Sequence, residues 1–508
     1  MARSNSLRYL LPTTLGFLGL LTLKANSWAT DADSSDSASQ MTAQTTTSVS
    51  VEAPELNVEE YQLENGLSIL LSQDHTLPFV STEVVYLVGS SYEQKGRTGF
   101  AHLFEHLMFQ GSENYNQEYF TPLEPIGAKV NGTTNRDRTN YYELVPKQYQ
   151  ELSLWLESDR MRSLLPALTQ EKLDNQRDVV KNERRQRYEN QPYGMAWWYL
   201  SEALYPPGHP YRHTPIGSHE DLSAASLEDV KAFFETYYVP ANAALVIVGD
   251  FDKEKTKADI EKYFGDMPSG ERAPAPQAAE PQLTGISHWT IEDKVTLPRI
   301  YLAWPTPPLY AKGDAELDLL SSVLATGKTS RLFKELVYDK KVASSIHAFQ
   351  MSMKLSSSYI VEVTAAPGTQ VEELYSSTIS ALEKALAEKP SAQQLQRARN
   401  SFKKSFFRQL ESYSSRASLI GNYFLHQGRG DYLQADFERY EKASSEDVIQ
   451  AGRSYLTLDR FVRIDILPGN PQAEVKKSFQ EAEKPVPPPL SSDKQATQQA
   501  SDSSQGKK

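Results

Sequence analysis

Cysteine is absent from all 508 residues. That excludes a disulfide framework, a thiolate metal site and a cysteine nucleophile, and it is compatible with export to an oxidising space without requiring it. Histidine is scarce, with nine residues, so any clustering of it carries information. Basic residues are outnumbered, 53 Lys and Arg against 65 Asp and Glu, for a net charge of −12. This deficit argues against a general nucleic-acid binder, which needs concentrated positive charge, and weakly favours substrates that carry some. A glycine-rich phosphate loop is also missing: the turn at Val248 to Phe251 follows a strand without one, so no nucleotide is implied. The longest apolar run, "YLLPTTLGFLGLLTL", follows a basic start, "MARSNSLR", and precedes small residues at Ser27 and Ala29. Residues 1–29 therefore read as a secretory signal, which predicts an exported, periplasmic protein. An uncleaved membrane anchor is the alternative; Pro12 and the shortness of the run count against it.

What is present reads as a soluble globular chain, 39% apolar and 23% charged, long enough for more than one core. Residues 30–54 are rich in Ser, Thr, Asp and Ala and read as a disordered tether. "YQLENGLSILLSQD" predicts two strands about the Asn65-Gly66 turn. Strand and helix patterns then alternate through a first domain, 55–270, a Pro/Ala-rich linker, 271–286, and a second domain, 287–475, before a tail, 476–508, expected to be disordered. The domains echo one another: "QDHTLPFVSTEVVYLVGS" is matched by "EDKVTLPRIYLAWPTPPL", aligning Leu77-Pro78 with Leu297-Pro298. We expect an α+β fold of two homologous, duplicated α/β-sandwich domains of roughly 200 residues each.

The chemistry concentrates in "GFAHLFEHLMFQGSEN", residues 99–114. On a helix His102 and His106 stack four residues apart, and Glu105 lies on nearly the same side. Phe100, Leu103, Leu107 and Met108 imply that the helix is buried, where unpartnered ionisable groups cost several kcal/mol. A divalent metal removes that cost, and H-x-x-E-H is the inverted form of the common zinc-protease helix. The alternative is a pair of hydrogen-bonded core histidines beside a salt-bridged glutamate. With so few histidines a chance match is on the order of one in a hundred, which favours the metal. A catalytic zinc needs a third ligand, and Glu183, on the helix within "LTQEKLDNQRDVVKNERRQRYENQP", is a candidate. On its own residues Glu183 reads equally well as a surface carboxylate paired with Arg187. The corresponding rows of the second domain hold Asp318, Ser321 and Ser322, so only the first should carry chemistry.

These stretches, with "GAKVNGTTNRDRTNYYELVP" and "VVKNERRQRYENQPYG", resemble the pitrilysin/insulinase (inverzincin) zinc peptidases, and most closely their short bacterial, mitochondrial-processing-peptidase-like branch. The resemblance covers roughly residues 55–475 and is most specific in the first half. It implies one zinc ion per chain held by His102, His106 and Glu183, since the family's third ligand follows the second histidine after 76 residues, here positions 107–182. Glu105 would act as general base and later proton donor in peptide hydrolysis, without binding the metal. Asn131, on a strand to whose edge an extended peptide could add, would contact the substrate backbone; a turn role before Gly132 is its alternative.

Departures from the family pattern matter as much. Gln176 stands where relatives often carry a glutamate two turns before the ligand, and it cannot hold charge. Aligning on "GKTSRLFKELVYDKKVASSI" puts Val337 and Ser344 where self-sufficient relatives carry an arginine and a tyrosine that reach the developing oxyanion. Arg331 and Tyr338 have the right spacing by coincidence, but Arg331 belongs to the "SRLF" turn, read as structural. The resemblance therefore implies clam-like pairing with a homologous partner subunit that supplies Arg and Tyr, or alternatively a homodimer. A non-catalytic scaffold or peptide-binding subunit is the competing function, opposed by the complete ligand set. His209 and His213 flank Pro210 and read as loop residues, and "NERRQR" reads as a charged helix face.

Overall fold

Two six-stranded mixed sheets organise the computed structural model, which describes residues 54–482. The stretch read as a signal sequence, nearly all of the expected tether and the residues beyond 482 lie outside the described residues. Sheet 1 is built from β1 (Glu59–Gln62), β2 (Ser68–Gln73), β3 (Phe79–Tyr86), β4 (Lys129–Thr134), β5 (Thr139–Pro146) and β6 (Ala243–Gly249) in the order β1-β2-β6-β3-β5-β4. Sheet 2 uses β7 (Gly285–Asp293), β8 (Arg299–Thr306), β9 (Ala343–Met351), β10 (Ser357–Ala365), β11 (Phe461–Pro468) and β12 (Lys476–Glu481) in the order β12-β7-β11-β8-β10-β9. The duplication is explicit in this topology. In each sheet one parallel pair, β2 with β6 and β7 with β11, is followed by antiparallel neighbours in the same succession.

The edge strand breaks the symmetry. In sheet 1 it precedes the repeat as β1, whereas in sheet 2 it follows as β12, antiparallel to β7. This corrects the expected boundary at 475, because residues 476–481 form a strand and not part of a disordered tail. "KKSFQE" is exposed along its whole length, so it has no alternation of buried and solvent positions from which a strand could be read.

Strand β6 is apolar and buried at every position because both faces of the sheet are covered there. In β6, Leu245 and Ile247 face the first core with α1 (Phe100–Leu107), α2 (Gln150–Ala167) and α3 (Gln170–Arg184). Ala244, Val246 and Val248 face the other way, against Tyr413, Ala417 and Ile420 of the helix Tyr413–Gln427, which belongs to the second half. The exchange is reciprocal. Helix α4 (Ala196–Leu204), from the first half, places Ala196, Leu200 and Leu204 on Tyr301, Ala303, Val462 and Ile464 of sheet 2.

The matched Leu-Pro turns serve this exchange. Leu77 donates its N–H to the Tyr413 hydroxyl at 2.9 Å, and the Tyr193 hydroxyl, just before α4, donates to the Leu297 carbonyl at 2.8 Å. The two α/β layers are thereby interlocked, each closed by a helix of the other.

Candidate metal centre

Helix α1 is short, eight residues, and is held by its surroundings more than by its own propensity. Its apolar side, Phe100, Leu103, Phe104 and Leu107, is buried in the first core. Gly99 caps it at φ 92°, a left-handed conformation, and a Cβ there would lie 2.9 Å from the Ile216 carbonyl oxygen. The first N–H groups are satisfied from outside the helix. Glu93 accepts from Gly99 at 2.9 Å and from Ala101 at 2.8 Å, setting both oxygens of a buried carboxyl at the positive end of the helix. His213, in its expected loop, sets its Nε2 2.9 Å from Glu93 Oε2 and supports the cap. His209 is also in that loop, where its Nδ1 accepts from the Tyr211 N–H.

Helix α3 is capped by Thr169, whose side chain accepts from the Lys172 N–H, and it buries Leu173, Gln176, Val180 and Arg184. It passes into a wider helical turn, Arg185–Glu189. "NERRQR" is therefore not uniformly a solvated face. Arg184 is buried, donates to the Gly217 carbonyl at 2.6 Å and lies over the Trp198 ring, while Arg187 is exposed. Burial of one arginine in a charged run depends on a tertiary partner far along the chain, and no local pattern signals it.

The two helices bring His102, His106 and Glu183 together, with one potential ligand atom from each lying within 4.8 Å of the others. Glu183 Oε2 is 3.3 Å from His106 Nε2 and 3.7 Å from His102 Nε2. The imidazole rings stand nearly perpendicular with centroids 4.8 Å apart. Glu183 Oε1 meets Arg187 at 2.7 Å, so the carboxylate lies beside both histidines and pairs with Arg187 as well.

Burial, reinforced by His106, holds the His102 imidazole down to about 4, so it is neutral near pH 7. Burial works against ionisation of Glu183, but its hydrogen bond to His106 and the adjacent positive groups outweigh it and hold the carboxyl at about 2. A neutral imidazole beside an ionised carboxylate is the state a divalent cation requires, and the donor set fits zinc.

Glu105 lies on the same helix but outside this triplet. Burial pushes its carboxyl up from the ordinary range, while Thr134 donates to Oε2 at 2.6 Å. Thr134 is a residue the sequence reading missed, because the contact joins α1 to a strand that no local periodicity pairs with it. Asn131 is exposed on β4, an edge strand of sheet 1, and its Oδ1 accepts from the Gly132 N–H at 3.0 Å. Gln176 is buried on α3 and donates to Asn175.

In the second half Val337 is half-buried against the second core, and Ser344 is exposed on β9 with its hydroxyl donating to the Thr364 carbonyl. Arg331 is fully engaged by the carbonyls of Ala385, Glu388 and Lys389 and by Gln394, which agrees with its reading as a structural residue. Asp318, at the row matching His102, accepts from the Tyr440 hydroxyl at 2.7 Å, and no His-containing ligand cluster occurs in the second half among the described residues.

Comparison with known proteins agrees with this asymmetry. Residues 68–207 match the family described as insulinase (peptidase family M16), and residues 224–402 match the peptidase M16 inactive domain. The zinc protease PqqE of Helicobacter pylori is 31% identical over 382 residues, 74% of this chain and 85% of that protein. An uncharacterized zinc protease of Bacillus subtilis, YmxG, is 23% identical over 79% of this chain and 96% of its own length. Among solved structures, a protease from Helicobacter pylori superposes with a TM-score of 0.76 at 29% identity, covering 82% of this chain and all of the other. The first half of the periplasmic protease PqqL from Escherichia coli shares the fold, with a TM-score of 0.67 at 17% identity over 82% of this chain and 94% of that one.

Proposed function

The chain belongs to the insulinase family of peptidases, family M16, and from that premise we propose that it is a zinc-dependent metalloendopeptidase that hydrolyses peptides or unfolded segments. The observation that carries this reading is the convergence of His102, His106 and Glu183 from two separate helices, with Glu105 beside them. His102, His106 and Glu183 would hold one zinc ion. Zinc in such a site supplies Lewis-acid polarisation of a carbonyl and acidification of water.

The remaining work falls to side chains of this protein. Glu105 takes the proton of the attacking water on a carboxylate oxygen and passes it to the nitrogen of the departing amine. Its burial favours the protonated intermediate state more than an exposed carboxylate would. The unpaired edge of β4, where Asn131 is exposed, offers backbone groups to an extended peptide.

We further propose that the chain is the zinc-bearing subunit of a pair. Val337 has no side-chain donor, the Ser344 hydroxyl is uncharged and gives its proton to the Thr364 carbonyl, and Arg331 is occupied by backbone carbonyls, so none offers a free cationic donor to an oxyanion. A homologous partner would contribute the arginine and tyrosine. The leader read in residues 1–29 supports a periplasmic location. Among the described residues no helix is long and apolar enough to cross a membrane.

Glu105→Gln tests the proposal. It should retain zinc and abolish turnover of an internally quenched peptide, with the partner subunit supplied where turnover needs it. Undiminished turnover in Glu105→Gln contradicts the mechanism.

A further inference from the structure

We propose that Thr134 is a positioning residue for Glu105, an inference that rests on the peptidase reading above. The hydroxyl of Thr134 lies 2.6 Å from Glu105 Oε2, and Oε1 has no hydrogen-bond partner among the described residues. A threonine hydroxyl has one proton to give. Across the hairpin its partner in register, Thr139, directs its own proton to the Val88 carbonyl at 3.0 Å and so can only accept from Thr134, at 3.4 Å; the Glu105 oxygen, at 2.6 Å, is the nearer acceptor for the Thr134 proton. Thr139 is fully buried, which fixes the β5 side of the pair.

The backbone of β4 is shaped to deliver this contact. Gly132 and Thr134 are two residues apart on one strand and so face the same way, toward α1. A Cβ on Gly132 would lie 3.1 Å from Glu105 Cγ and 3.2 Å from two ring carbons of Phe109. The glycine lets the strand lie directly against the glutamate side chain, and the next residue on that face reaches the carboxylate. Asn131, immediately before Gly132 and on the opposite face of the strand, is exposed.

The arrangement divides the two oxygens by role. Oε2 accepts from Thr134 throughout, and Oε1 takes the proton from water and returns it to the amine nitrogen. Without the donor the carboxylate would rotate among several orientations, and only a fraction would face the water. The loss should therefore appear in kcat with little change in KM.

The test compares Thr134→Val, Thr134→Ser and Glu105→Gln in the full chain, using an internally quenched decapeptide chosen for cleavage by the unsubstituted protein, with zinc affinity measured in parallel by chelator competition. We expect Thr134→Val to lower kcat about tenfold with KM and zinc affinity unchanged, and Thr134→Ser to restore most of it. Full activity in Thr134→Val, while Glu105→Gln is inactive, overturns this inference and leaves the peptidase reading standing. Loss of zinc from Thr134→Val also overturns it, since the residue would then be supporting the metal helix. Full activity in Glu105→Gln removes the peptidase reading itself. Where no peptide is turned over, the crystallographic position of Glu105 in Thr134→Val decides: a displaced carboxylate supports positioning, and an unmoved one refutes it.

Discussion

Arg187 holds one oxygen of Glu183 at 2.7 Å from one helical turn away, while the other oxygen of the same carboxylate faces His106 at 3.3 Å. With the guanidinium on Oε1, Oε2 is the oxygen left facing the histidines. Partners of this kind in buried shells are worth about 10- to 100-fold in metal affinity, but Arg187 is 72% exposed and solvent screening reduces its share. We expect Arg187→Ala to weaken zinc binding about threefold, and Arg187→Lys to fall between. Chelator competition measures this, and equal affinities in all three proteins would show that the pair does not orient the ligand.

Glu93 should matter to the stability of the metal helix although it lies outside it. Its carboxylate takes the N–H groups of Gly99 and Ala101 and meets His213. Glu93→Ala leaves buried donors unpaired, at a cost of about 2 kcal/mol, and Glu93→Gln should recover part of it. Denaturant unfolding checks the difference. An unchanged midpoint for Glu93→Ala would mean that water replaces the cap.

The ion pair between Asp74 and Arg416, 2.8 Å, ties the first half to the exchanged helix Tyr413–Gln427 and gives the fold a pH dependence. Burial works against ionisation of Asp74, but hydrogen bonds from Thr76 and Arg416 outweigh it and hold the carboxyl well below the usual range. A depressed carboxyl contributes stability above its unfolded value of about 3.9 and loses that contribution as pH falls toward the folded value. Asp74→Asn should therefore cost about 1 kcal/mol at neutral pH, with the gap narrowing below about pH 4. Unfolding curves at both pH values measure it, and a gap that persists at low pH contradicts the assignment.

Much of this molecule is legible in its residues. H-x-x-E-H at 102–106 fixes a spacing that one helix turns into geometry, and the Leu-Pro echo at 77 and 297 reports a duplication that both sheets display. What stays hidden depends on distant partners. Ala417 and Ile420 show an apolar helix face, but only the folded chain reveals that the face covers the other half's sheet. β12 is polar and exposed, so it has no period to read, and it forms because β7 offers an open edge. Thr134 is one threonine in a threonine-rich hairpin until α1 is set against it.

Metal analysis of the purified chain, with zinc titration, measures whether Glu183 joins His102 and His106 around one cation. We expect about one zinc per chain in the native protein and a loss of affinity of at least about 100-fold in Glu183→Ala, with the fold retained. A native chain that takes up no zinc, or a Glu183→Ala chain that binds it as tightly as the native one, would contradict it.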